Sequence, residues 1–256
     1  MIQFEIKEGV GKITLNRPDK YHSFVREMAL KLQETLDKCN DNNKVRSILI
    51  TATGKAFCAG QDLGEATDPN GPDLTQIVQE HYNPIIRKIR NIEKPIVAAV
   101  NGVAAGSGAS IALACDIVVA TESATFIQAF SKIGLIPDSG GTFFLPRLIG
   151  MQKAAALMMT AEPVSAKDAE KMGMIYKTFS DDSFEQESWK IVSKLAGMPT
   201  KGLGLTKRLL NASYSNNLEE QLDMEDKCQT IAGNTSDFKE GIEAFFEKRK
   251  PNFKGE

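Results

Sequence analysis

Residues 95–141 restrict the folds open to this chain more than any other stretch. Ile96-Val97-Ala98-Ala99-Val100 is apolar at every position, the pattern of a strand covered on both faces. Asn101-Gly102 ends it, and Gly106-Ser107-Gly108 then comes just before a small-residue apolar segment, Ala109 to Cys115, that reads as a buried helix. Glycines at a helix start leave its first N–H groups unshielded. With the positive end of the helix dipole, those groups can stabilise a developing negative charge. Further on, Asp138 stands between Pro137 and Ser139-Gly140-Gly141, on a tight turn. Taken singly, each feature has a plainer reading: a GxG before a helix is common, and an Asp before Ser-Gly-Gly also serves as a helix cap.

The 256 residues suffice for a large core, and 42% hydrophobic against 25% charged residues is ordinary for a soluble globular protein. A net charge of -2 gives no general electrostatic reason to bind nucleic acid or an anionic membrane. The opening Met-Ile-Gln-Phe-Glu lacks a basic region followed by an apolar one, so no signal peptide is expected, and no run approaches a membrane span. Cys39, Cys58, Cys115 and Cys228 are scattered, with no CxxC pair, and only His22 and His81 could join them as ligands. No metal site is expected, and reduced thiols in a cytoplasm fit best.

Two strands, Phe4 to Lys7 and Gly11 to Leu15, read as a hairpin through Glu8-Gly9. Pro18 stops the second, and Ser23 is placed to cap a helix carrying Met28, Leu32, Leu36 and Cys39 at helical spacing. Residues 45–51 form an apolar strand. Small residues follow directly in Ala56-Phe57-Cys58-Ala59-Gly60-Gln61-Asp62-Leu63, either a plain strand-to-loop turn or a place where a ligand approaches the backbone. Residues 64–74 read as a mobile loop, and residues 77–92 as a helix that carries His81 and in which Pro84 should make a kink or mark a break. Helices are expected over residues 141–149, 151–159 and from Ser165 to near Gly173, with a short strand over 174–179. Beyond residue 180 strand signals vanish, and residues 184–195, 200–212, 218–232 and 236–248 are helical patterns. The chain thus divides into an alternating α/β core, residues 1–180, and a helical region, residues 181–256, suited to packing on its own core or on another subunit.

At this point the segments, in order and spacing, resemble the crotonase (enoyl-CoA hydratase/isomerase) superfamily. The resemblance rests on residues 13–18 (ITLNRP), 56–63 (AFCAGQDL), 101–116 and 134–141 (GLIPDSGG), supported by Leu145-Pro146-Arg147-Leu148-Ile149-Gly150 and residues 165–173. It implies a spiral core of repeated ββα units, two near-perpendicular sheets and a C-terminal helical region. It also implies acyl-CoA thioester substrates, with no cofactor beyond the CoA carried by the substrate, and a homotrimer or dimer of trimers. Carried over, the oxyanion hole would be the N–H groups of Gln61 and Ser107, whose side chains need not matter. The CoA ester would lie near Lys20, Tyr21 and His22 and near Ala59, Asp62, Leu63 and Gly64. His81, Phe130 and Ile136 would shape the acyl pocket.

The departures are informative. The two glutamates with which family hydratases handle water align with Ser110 and Phe130, neither of which is a base. Asp138 is the acid that remains, and residues 126–147 look particularly like the 1,2-epoxyphenylacetyl-CoA isomerases. The expectation is therefore an isomerase that shifts double bonds or opens a ring epoxide with Asp138 as lone proton carrier, its pKa raised by apolar neighbours such as Phe130 and Ile136. The alternatives are an enoyl-CoA hydratase using another acid such as Glu65 or water alone, an aryl-CoA dehalogenase with Asp138 as nucleophile, and a non-catalytic member that binds acyl-CoA or RNA.

Overall fold

The computed structural model describes residues 1–256. The strands in chain order are β1 (Ile2–Lys7), β2 (Val10–Leu15), β3 (Ser47–Ala52), β4 (Ala56–Cys58), β5 (Ile96–Val100), β6 (Val103–Ala105), β7 (Ile117–Thr121), β8 (Thr125–Ile127), β9 (Val164–Ser165) and β10 (Lys177–Phe179). They form a six-stranded sheet, ordered β1-β2-β3-β5-β7-β10, and a four-stranded sheet, ordered β4-β6-β8-β9. Only the β1–β2 and β8–β9 pairs are antiparallel. The Glu8-Gly9 hairpin forms as expected, with both residues at positive φ (52° and 79°) and Ile2 opposite Leu15.

The connectivity is a spiral. Each turn lays one strand in the large sheet (β3, β5, β7) and the next in the small one (β4, β6, β8). The corner between β5 and β6 is Asn101-Gly102. Asn101 Nδ2 donates to the carbonyls of Gly54 (2.9 Å) and Ala56 (3.2 Å), and a Cβ on Gly102 would lie 2.1 Å from the Lys55 carbonyl oxygen. Only glycine allows that approach.

The helices are α1 (Arg26–Asp41), α2 (Leu63–Ala66), α3 (Leu74–Gln76), α4 (Asn83–Asn91), α5 (Ser107–Leu113), α6 (Gly141–Ile149), α7 (Met151–Thr160), α8 (Ala166–Lys171), α9 (Phe184–Ala196), α10 (Thr200–Ala212), α11 (Leu218–Gly233) and α12 (Ser236–Glu247). Helix α1 lays Met28, Leu32, Leu36 and Cys39 on the main core with Ile13, Ile48 and Ile96. A smaller apolar layer behind the large sheet holds Val10, Leu49, Val97 and Val119 under Phe184, Val192 and Ala196 of α9. No helix is long and apolar enough to cross a membrane.

Two local expectations are corrected. Ser23 does not cap α1: the helix starts at Arg26, and Ser23 is buried with its Oγ accepting from Arg17 Nη1 at 3.1 Å. Residues 64–74 are not a bare loop. Asp62 caps α2 by accepting from the Gly64 N–H, and Asp73 and Gln76 form a capping box at α3. Pro84 marks the expected break: the helical run from residue 77 goes through a π-helical turn, Ile77–Tyr82, and α4 begins with Pro84 in its first turn.

Buried charge ties α10 to the core. Asp116 accepts from the Ile96 N–H (2.9 Å) and pairs with Lys207 Nζ (2.8 Å) and Arg90 Nη1 (3.2 Å). Removing one member of such a group leaves the others desolvated and unpaired. Asp116→Ala should therefore lower unfolding stability by about 3–5 kcal/mol, measured by denaturant titration.

Both histidines are also fully buried, and burial pushes each pKa below the ordinary 6.5, a shift that the Thr53 carbonyl beside His22 partly opposes. Below pH 6.5 the unfolded chain binds protons that the folded chain does not, so stability is lost as pH falls from there. For each histidine the slope is at most about 1.4 kcal/mol per pH unit, and His81→Leu should flatten it in denaturation curves taken from pH 7 to pH 5.

Candidate active site

Two backbone corners meet at the start of α5. The Gly60-Gln61 segment is held beside Phe24: the Phe24 N–H donates to the Gly60 carbonyl (2.7 Å) and the Asp62 N–H to the Phe24 carbonyl (2.8 Å). A Cβ on Gly60 would lie 3.4 Å from the Ser107 nitrogen, so this segment and the first turn of α5 are in contact. Neither the Gln61 nor the Ser107 N–H donates to a protein group. For Ser107 that is the ordinary state of a first helical residue, whose N–H has no carbonyl within the helix to reach.

Asp138 comes to the same place. Its Oδ1 accepts from Ser107 Oγ at 2.7 Å and from Ser139 Oγ at 2.9 Å. Ser139 adopts positive φ (52°), followed by Gly140 at 72°, and this left-handed pair turns the chain into α6. Burial pushes the Asp138 carboxyl above its ordinary 3.8, and the two serine hydroxyls partly oppose that shift. Phe130 is buried, with its ring 3.8 Å from where a Cβ on Gly106 would stand, at the cap of α5. Ile136 is not buried: its side chain is 79% exposed, because the 134–136 segment runs over the surface.

The side chains at the two N–H positions are both engaged. Ser107 Oγ holds Asp138, while Gln61 Oε1 accepts from the Tyr82 hydroxyl (2.9 Å) and Gln61 Nε2 donates to Glu65 Oε2 (2.9 Å). Tyr82 is fully buried, and its hydroxyl pKa is pushed well above 10 by desolvation first and then by the nearby Cys58 thiol and the Asp138 carboxylate. Glu65 also accepts from the Arg26 N–H at 2.9 Å.

The other expected site residues fall into two groups. Lys20, Tyr21, Ala59, Leu63 and Gly64 are exposed around the Gln61 segment and open to a ligand. His22 and Asp62 have structural partners instead. His22 Nδ1 accepts from the Arg17 N–H (2.9 Å), and its Nε2 donates to the Thr53 carbonyl (2.7 Å), so the imidazole is unavailable to a ligand. Asp62 pairs with Arg17 at 2.7 Å. His81 is buried next to Tyr82 with both ring nitrogens unpaired. A large cleft of about 960 Å³ between Thr14, Thr51 and Trp189 contains none of the residues gathered around Asp138.

Tyr82 and Ser139 are the site residues that sequence patterns missed. Ser139 was readable as part of the Asp138 turn. Tyr82 had no signal, because only the π-helical turn determines which residue of 77–82 faces Gln61.

This geometry has relatives. The family model for enoyl-CoA hydratase/isomerase matches residues 5–256. The chain is 44% identical to 1,2-epoxyphenylacetyl-CoA isomerase of Escherichia coli K12, over 98% of this chain and 97% of that protein. It is 41% identical to a protein of Rhodobacter capsulatus named probable enoyl-CoA hydratase, over 99% of this chain and 98% of the relative. The crystal structure of enoyl-CoA hydratase from Bacillus anthracis superposes with a TM-score of 0.92 at 32% identity, covering 100% of this chain and 99% of that one. With a match along nearly its whole length, a shared spiral fold and full-length relatives above 40% identity, this chain belongs to the enoyl-CoA hydratase/isomerase family.

Proposed function

We propose that this protein is an acyl-CoA isomerase that moves a proton with one carboxylate, and that its substrate is a ring-epoxidised arylacetyl-CoA of the 1,2-epoxyphenylacetyl-CoA type. The observation that carries the reading is the lone half-buried carboxylate of Asp138, held by the side chain of the residue whose N–H opens α5. The thioester oxygen accepts from the N–H groups of Gln61 and Ser107. Negative charge that develops there is stabilised by both donors and by the helix end, and losing one such donor typically costs on the order of 100- to 1000-fold in rate. The carbon beside the carbonyl becomes acidic. Asp138 takes its proton and returns one further along the conjugated system, so an isomerisation needs no second acid, no water and no separate cofactor. In an epoxide substrate the carbon–carbon bond shared by the two rings opens, which leaves the oxygen inside a seven-membered ring.

Hydration needs a group to activate water. Ser110 and Phe130 supply none. Glu65, the other acid close to Gln61, has its oxygens engaged by the Arg26 N–H and Gln61 Nε2. The hydratase reading keeps support from the Rhodobacter capsulatus relative, and an assay separates the two.

Lys20, Tyr21, Leu63 and Gly64 flank the entrance for the CoA moiety, and the exposed Ile136 extends an apolar rim for the acyl group. Oligomerisation as a trimer or dimer of trimers fits α12, whose Phe245 (78% exposed) and Phe246 (76% exposed) stand in water beside Phe238 and Ile242. The region from residue 181 onward would then supply the subunit contacts. Four buried free thiols fit a reducing cytoplasm.

Purified protein should move the double bond of a 3-enoyl-CoA, and convert the epoxide, without hydrating a trans-2-enoyl-CoA. Asp138→Asn should lose at least about 1000-fold in kcat and keep its affinity for an unreactive CoA ester, read by calorimetry. Near wild-type turnover in that variant, or rapid hydration by the wild type, overturns the reading. The base form of Asp138 is the active one, so activity should rise with pH through a limb above 3.8. Ser107→Ala keeps the N–H and removes a hydrogen bond to the carboxylate. It should move that limb to higher pH by about half to one unit, read from kcat/KM profiles.

A further inference from the structure

Two buried polar side chains beside the Asp138 turn lack partners. Ser110 lies one helical turn beyond Ser107 on α5 and is fully buried, and its Oγ bonds to nothing. Gln128 is 3% exposed, just before the short turn Ala129–Ile133, and its Oε1 is also unpaired. Both face Gly141, the first residue of α6: a Cβ there would lie 2.8 Å from Ser110 Oγ and 3.6 Å from Gln128 Oε1. The Gly141 N–H donates to the Asp138 carbonyl at 2.8 Å, and Pro137 Cβ would lie 3.3 Å from the same Gly141 Cβ. Three elements thus converge on Gly141, within the turn that carries Asp138, and bring a hydroxyl and an amide oxygen that nothing in the protein satisfies. Buried polar groups are rarely left in that state, and a site with two of them is built for an oxygen.

We propose that Ser110 and Gln128 form an oxygen subsite, which binds an oxygen carried on the β-carbon of the acyl group or on its neighbour. The subsite selects ring-oxygenated aryl-CoA esters over plain hydrocarbon ones. This rests on the isomerase reading for the order of the substrate along the site. With the thioester oxygen at the Ser107 N–H and the α-carbon at Asp138, the next atoms of the acyl group extend along α5. A rise of 1.5 Å per residue puts Ser110 about 4.5 Å along the axis from Ser107. That is comparable to the four-bond span from a thioester oxygen to an oxygen on the β-carbon. An epoxide oxygen only accepts hydrogen bonds. The serine hydroxyl can donate, and the glutamine amide, turned over, presents its NH₂ to the same point. A hydrocarbon group in that place would leave both unpaired, and this is how a polar subsite rejects an analogue that lacks the oxygen.

The test uses two CoA esters that differ by one oxygen, phenylacetyl-CoA and 2-hydroxyphenylacetyl-CoA, with calorimetry on wild type, Ser110→Ala, Gln128→Leu and the double variant. Neither substitution removes a hydrogen bond from within the protein, so all four should fold. Wild type should bind the hydroxylated ester at least tenfold more tightly. Each single variant should reduce that preference at least threefold, and the double variant should abolish it. No preference in wild type, or the same preference in every variant, overturns the proposal and leaves the niche to a structural water. Binding is measured apart from turnover, so the two readings fail separately. Absence of double-bond migration with the binding pattern intact would strike the Asp138 proton shuttle and leave the subsite standing.

Discussion

Everything at this site depends on one close backbone approach, between the end of β4 and the first turn of α5. A Cβ on Gly108 would lie 2.4 Å from the Cys58 carbonyl oxygen, so any other residue would push the helix away from the strand. The same contact brings Gly60 against the Ser107 nitrogen. The spiral explains why the two segments can meet. β4 and β6 are adjacent parallel strands of the small sheet, and each hands its chain on at the same end, one into the Gly60-Gln61 corner and the other into α5. The site is therefore a product of sheet order, with the helix dipole aimed at it because α5 must start where β6 stops.

Around that corner the electrostatics are a balance of opposing effects. Desolvation raises the Asp138 pKa, and two serine hydroxyls pull it back. Ser107 takes part twice, once through a backbone N–H left unpaired by its helical position and once through a side chain that fixes the carboxylate. Tyr82 donates its hydroxyl to Gln61, and burial pushes its phenol pKa further above the ordinary 10. Position and protonation are thus set by neighbours that need not touch the substrate.

Elements with a repeating apolar stripe were legible in the sequence, and several short strands were not. The period of Met28, Leu32, Leu36 and Cys39 marks α1, and α10 runs over residues 200–212 as its pattern predicts, because an amphipathic stripe repeats over several turns. β4, β6 and β8 have three residues each and escaped notice: three residues cannot display an alternation, and these sit in small, largely covered segments. Yet those strands make the small sheet that carries the site. Asp138 stood out through its turn, but its bond to Ser107 spans 31 residues and exists only in three dimensions. The expected desolvation by Ile136 failed for a related reason, since proximity in sequence does not say which face of a turn a side chain takes.

The residues near Asp138 also limit which reactions the corner can support. A second carboxylate would let the site activate water, yet it would repel the first and raise one of the two pKa values further. Here α5 carries the small neutral Ser110, fully buried, and Gly141 lets it and Gln128 come close, since a Cβ there would lie 2.8 Å from Ser110 Oγ. A serine hydroxyl and a glutamine amide can donate to an oxygen but are too weakly basic to take a proton from water. A lone base with a charge-stabilising corner can still move a proton between two carbons of one molecule, because the proton it accepts is the one it returns. If Asp138 acts as proposed, the balance between hydration and isomerisation follows from what stands beside the carboxylate, on a spiral shared with full-length relatives named for either reaction.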